Sequence, residues 1–91
     1  MATVQKQVTL INKVGLHARP ASLFVQTASR FHSDVTVSSN GREANAKRML
    51  AVLQLGAEYG SQLDITATGD DAAEAVQALV ELVDNRFGES E

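Results

Sequence analysis

The chain of 91 residues has no cysteine. Disulfide staples, thiolate nucleophiles and cysteine metal sites are therefore excluded. Its two histidines, His17 and His32, stand apart in sequence, too few and too scattered for a metal centre, and no cofactor motif is present. Long apolar runs are also missing, and the first residues read as a strand (Thr3-Val4-Gln5-Lys6-Gln7-Val8), not as a signal peptide. A cytoplasmic protein without direct membrane insertion is expected. No basic stripe exists: the net charge is −3 and the pI about 5.3, which argues against nucleic acid as a partner. Linkers, repeats and low-complexity tracts are absent too. The length admits one domain, 1–91, with loose ends expected only in the first two and last four residues.

What is present is a globular composition, 44% hydrophobic and 21% charged, so wholesale disorder is not expected. Charge is unevenly placed. Acidic residues concentrate from Asp64 onward, whereas Lys13, Arg19, Arg30, Arg42, Lys47 and Arg48 lie earlier, allowing local positive potential near 13–19 and 42–48.

Periodicity gives the elements. A strand from about Thr3 to Ile11 places Val4, Val8 and Leu10 on one face, with Lys6 interrupting it. Asn12-Lys13-Val14-Gly15 reads as a turn. A helix then runs to about Arg30, its apolar face made by Ala21, Phe24, Val25 and Ala28. Asp34–Ser39 alternates, Asn40-Gly41 is a strong hairpin signal, and Arg42–Ala44 returns antiparallel. Asn45 is placed to cap a short helix over about Ala46 to Gln54, stopped near Gly56. Leu63, Ile65 and Ala67 mark a fourth strand. Asp70 or Asp71 caps a last helix whose stripe runs Ala72, Ala75, Val76, Leu79, Val80, Val83 and Phe87, with Asp71 and Glu74 as an N-terminal capping arrangement. The order β-α-β-β-α-β-α, with one apolar face per helix, predicts an α+β fold, an antiparallel sheet covered on one side by helices.

Chemistry concentrates in Gly15-Leu16-His17-Ala18-Arg19-Pro20-Ala21. Pro20 suits the first turn of a helix and restricts Arg19, so a helix starts about there. A helix start offers unpaired N–H groups and a positive dipole end, which together bind anions. The backbone donors of Ala18 and Arg19 are available to such an anion, and the Arg19 guanidinium can pair with phosphate. A neutral imidazole at His17 is nucleophilic enough to carry a phosphoryl group. Gly15 permits the sharp turn before it, and small Ala18 and Ala21 leave room for a partner. On spacing alone, a helix-capping or surface histidine is the commoner arrangement. His32, in a polar loop without such neighbours, reads as a solvated side chain. Asp64, Asp70 and Asp71 lack cation-liganding spacing and read as solvent-facing or capping groups.

The heptapeptide resembles the active-site signature of the HPr family, the histidine phosphocarriers of the bacterial sugar phosphotransferase system. The similarity extends through the Asn40-Gly41 hairpin, Asn45-Ala46-Lys47-Arg48-Met49-Leu50, Leu55-Gly56 and the final helix. It implies an open-faced β-sandwich with four antiparallel strands under three helices. It also implies that His17 accepts a phosphoryl group on Nδ1 from Enzyme I, charged by phosphoenolpyruvate, and passes it to an Enzyme IIA. Arg19 matches the family's active-site arginine. Such a protein is a substrate of transfer reactions, not an independent catalyst, and is expected to be a monomer.

Two positions depart from the family's pattern. Arg48 stands where a regulatory serine commonly begins the second helix, so control by phosphoserine is not expected, and Arg48 could instead favour an acidic Enzyme I surface. Val14 replaces a small polar residue before the glycine, which weakens local capping. The second helix is also unusually apolar: Val52 and Leu55 suit the core, whereas Met49, Leu50 and Leu53 are candidates for an exposed partner-binding patch beside Ala18 and Arg19. Two other readings stand beside the sugar-uptake carrier. One is a regulatory phosphocarrier of a nitrogen-related phosphotransferase branch. The other is a non-catalytic interaction domain in which His17 is only a helix cap.

Overall fold

A computed structural model describes residues 1–89. Four strands, β1 (Ala2–Thr9), β2 (Asp34–Ser39), β3 (Arg42–Asn45) and β4 (Gln62–Gly69), form one antiparallel sheet in the order β1-β4-β2-β3. Helices α1 (Ala18–Ser29), α2 (Met49–Leu53) and α3 (Ala72–Asp84) follow the expected alternation, and a 3-10 turn over Arg86–Gly88 follows α3. The arrangement is an α+β open-faced sandwich. The reason lies in the alternation of β4: Leu63, Ile65 and Ala67 are fully buried under the helices, while Asp64, Thr66 and Thr68 point to the other, polar face. Against that strip pack Phe24 and Ala28 of α1 and Ala75, Val76, Leu79 and Val83 of α3. The β2–β3 turn has both central residues at positive φ, Asn40 at 55° and Gly41 at 76°, as a type I′ hairpin demands.

Several boundaries differ from the sequence reading, each for a physical reason. β1 starts at Ala2 and ends at Thr9, not Ile11. Leu10 keeps two backbone bonds, to Ser61 O and from Gly60 N–H, and is buried just beyond the ladder. Lys6, expected to be partly covered, is exposed on this edge strand. The second helix is shorter than Ala46–Gln54, because the Ala46 N–H is held by Val35 O at 2.9 Å and so belongs to the sheet. Asn45 consequently does not cap a helix. Its Oδ1 accepts the Lys47 N–H at 2.9 Å, closing a turn that leads to Arg48 at the N-cap position.

The last helix ends at Asp84, and Phe87 reaches the core through a left-handed backbone, not as part of the stripe. Asp71 sits at the N-cap of α3 but makes no capping bond. Its carboxylate instead accepts the backbone N–H of His32 at 2.8 Å and that of Ser33 at 2.9 Å, together with the Ser33 hydroxyl. Those bonds, the Ser33 hydroxyl foremost and the His32 N–H next, favour the ionised form and bring its pKa down from 3.8 to about 2. Asp71 thus ties the α1–β2 connection to the start of α3.

Candidate functional site

The turn before α1 is shaped by a close approach of two backbones. Gly15 has φ +66°, and a Cβ there would lie 2.6 Å from Glu58 Cα and 2.7 Å from Ala57 O. Only glycine lets the loop rest on the 57–58 segment. Leu16 continues the contact, donating its N–H to Ala57 O at 3.0 Å while its side chain enters the core. The chain therefore emerges at His17 between a buried leucine and the first helical turn, with the histidine exposed.

His17 occupies the N-cap of α1 with extended backbone (φ −76°, ψ −174°), and its side chain makes no capping hydrogen bond. Its carbonyl accepts the Ala21 N–H at 2.9 Å. Ala18 and Arg19, at the first and second helical positions, have no acceptor one turn back within the helix, and Pro20 brings no N–H. The helix begins at Ala18, one residue earlier than the proline suggested. Its first turn contains no acidic side chain, so the dipole end is not neutralised from within. A histidine used only as a cap would turn its ring onto these N–H groups. Here the imidazole and the donors are both left open.

A shallow depression beside the imidazole is lined by Leu16, His17, Ala18, Leu53, Gly56, Ala57 and Glu58. It brings Leu53 of α2 to the histidine. Of the three residues expected to form an apolar patch, Leu50 is 68% exposed, whereas Met49 and Leu53 are half-buried against the core. Val52 and Leu55 are buried beneath them. Arg48 is exposed at the N-cap of α2, without a side-chain cap bond, and its carbonyl accepts the Val52 N–H at 3.1 Å. Val14 is exposed beside the loop.

Two residues of the site escaped the sequence reading. Asn12, taken only as part of a turn, is fully buried and donates through Nδ2 to Gly15 O at 2.8 Å and to Glu89 Oε1 at 3.1 Å. Glu89, assigned to a loose tail, also has Oε2 3.6 Å from Nη1 of Arg19. Of the rest of that expected tail, Gly88 ends the 3-10 turn, and Ser90 and Glu91 lie outside the described residues. An asparagine directly after a strand was the only signal for the first contact, and nothing local marks the second.

Elsewhere, folding brings His32 to Asp70 and Asp71, with one ligand atom from each inside 4.8 Å of the others. Both oxygens of Asp71 already accept hydrogen bonds from residues 32 and 33, so this group is read as a structural clasp. Asp64, grouped with these aspartates on sequence, instead lies within β4.

The family model for the PTS HPr component phosphorylation site matches residues 4–85. A phosphocarrier protein HPr of Xylella fastidiosa is 44% identical over 86 residues, covering 94% of this chain and 97% of its own. Among solved structures, one described as HPr-C-His from Thermoanaerobacter tengcongensis superposes with a TM-score of 0.91 at 44% identity, covering both chains completely. A structure described as an HPr dimer from the same organism gives a TM-score of 0.77 at 46% identity, covering 90% of this chain and 94% of that one. Signature, fold and full-length similarity agree, and the chain belongs to the HPr family, phosphocarrier proteins of the phosphotransferase system rather than catalysts.

Proposed function

We propose that His17 receives a phosphoryl group from phosphorylated Enzyme I and passes it to an Enzyme IIA in sugar uptake, in the cytoplasm. The observation that carries this reading is an exposed imidazole at a helix N-cap that it does not cap. In the accepting step a ring nitrogen (Nδ1, by resemblance to the family) forms the P–N bond as the donor's bond to phosphorus breaks. In the donating step the same bond breaks toward the acceptor. The open N–H groups of Ala18 and Arg19, with the dipole of α1, offset the phosphoryl charge by on the order of 0.3–2 kcal/mol. Arg19 adds a charge-assisted contact. Stabilisation of that size retains the group yet lets it leave, as a relay requires.

Partners dock, in this reading, over Ala18, Arg19, Met49, Leu50 and Leu53. Exposed Leu50 supplies an apolar contact, and Arg19 with Arg48 attracts acidic surfaces. Residues 1–91 act as one unit, and a monomer serves the transfer, because an exposed histidine needs no second copy to complete it. Among the described residues no helix is long and apolar enough to cross a membrane.

The test is incubation with Enzyme I and phosphoenolpyruvate, read by intact mass. A gain of one acid-labile, base-stable phosphoryl group is expected in the native protein and none in His17→Ala. Label retained by His17→Ala overturns the site; Arg48→Glu labelled at the native rate overturns the part given to Arg48. The sugar-uptake branch is separated from a nitrogen-related regulatory one by which IIA takes the label.

A further inference from the structure

The clasp made by Asp71 leaves donor capacity unspent. Its Oδ1 accepts the backbone N–H and the hydroxyl of Ser33, but its Oδ2 accepts only the His32 N–H. A carboxylate has about four lone-pair sites, so one on Oδ2 remains. The His32 ring and the Asp70 carboxylate are both exposed, and neither makes a hydrogen bond among the described residues. Three donors of different origin thus meet, one atom from each within 4.8 Å of the others. His32 lies in the α1–β2 connection, 39 positions before Asp71, so no spacing in the sequence announces the group.

The donor set selects the kind of ion. Carboxylates alone favour Mg²⁺ or Ca²⁺, whereas an imidazole beside them suits a borderline cation such as Zn²⁺. Zinc takes nitrogen and oxygen donors at about 2.0–2.2 Å in a tetrahedron, which puts its donors about 3.4 Å apart. The cluster therefore needs to close by about 1.4 Å at most. Exposed His32 and Asp70 can rotate to make that movement, while Asp71 is held still by its bonds to residues 32 and 33. Ligating carboxylates are commonly fixed in this way by neighbouring donors. The positive end of α3 opposes a cation here, but it amounts to about half a charge against two full carboxylate charges. We propose that His32, Asp70 and Asp71 form a three-ligand site for a zinc-class divalent cation, with water completing its shell. The ion straps the α1–β2 connection to the start of α3. Because α1 has 12 residues, about 18 Å of helix, the site lies a helix length from His17 and leaves the phosphoryl acceptor open.

The test is titration of the chelator-treated full chain with Zn²⁺, followed by the ring NMR signals of both histidines and by calorimetry. The His32 signals should move and saturate at one ion per chain. They should do so equally in His17→Ala, where the other imidazole is gone. His32→Ala and Asp70→Asn alter exposed side chains without hydrogen bonds, so both should fold, and each should weaken binding about tenfold or more. Ser33→Ala, which loosens Asp71, should weaken it about tenfold. Zn²⁺ should raise the melting temperature of the native chain and leave that of His32→Ala unchanged. Mg²⁺ at the same concentration should do neither. Unmoved His32 signals, native affinity in His32→Ala or Asp70→Asn, or an equal response to Mg²⁺ overturns the proposal. Each of those results leaves the carrier reading of His17 standing.

Discussion

The two long helices begin in opposite ways. At the start of α3, Asp71 and Glu74 supply negative charge from within the protein, and Asp71 is saturated by bonds from the 32–33 segment. The first turn of α1 has no acidic residue of its own and no side-chain cap, and an exposed histidine precedes it. Both ends carry the same backbone dipole. At α3 the chain's own carboxylates stand beside that dipole end. At α1 the first turn holds none, and Glu89 meets the Arg19 guanidinium instead, 3.6 Å away. In the proposed reading, α1 is the end that meets the phosphoryl group, while α3 serves stability.

The comparison can be broken most severely at Gly15. In Gly15→Ala the new methyl would meet the Glu58 backbone, and a left-handed φ is strained for alanine in any case. A loss of about 1–3 kcal/mol is expected in denaturant unfolding. Displacing the histidine turn by about an ångström should slow phosphorylation by on the order of a hundredfold. Native transfer in this variant would show that the close approach does not set the site.

A gentler change makes α1 begin as α3 does. Ala18→Asp places a carboxylate in the open first turn, which should raise helix stability by about 0.3–1 kcal/mol at low salt. It should also slow phosphorylation, by about tenfold if the repulsion costs the transition state ~1.4 kcal/mol. Gained thermal stability with undiminished transfer would remove the dipole of α1 from the mechanism.

The reverse change, at α3, should leave transfer alone. Asp71→Asn deletes a group whose folded pKa is depressed, so its stabilisation is present above 3.8 and is lost as pH falls through about 2. The variant should melt below the native protein near neutrality, and the gap should close between about pH 4 and pH 2. A gap that stays constant across that interval would mean the carboxylate charge is not what matters.

How much of this was legible follows the sequence distance over which each contact acts. The turn before His17, the Asn40-Gly41 hairpin and the α3 stripe as far as Val83 are local patterns, and each element formed where the residues indicated. The short α2 depends on Ala46 being claimed by Val35, and the Asp71 clasp joins residues 38 and 39 positions apart. Asn12 and Glu89 are separated by 77 positions. Both side chains look like ordinary turn and tail residues until the fold brings them together. Val14, by contrast, flanks the site in sequence and is left exposed beside it.

The order of the strands has a consequence for synthesis. β1 and β2 do not pair with each other; each pairs with β4, the last strand to be made. Before residues 62–69 exist, the available sheet is only the β2–β3 hairpin, which is marginal alone. The turn bearing His17 leans on Ala57 and Glu58, just ahead of that missing strand. A growing chain thus has its histidine long before it has the site, and the two arrive together only when the centre of the sheet is filled. In an unfinished chain the loop before α1 still lacks the Ala57–Glu58 backbone on which it rests.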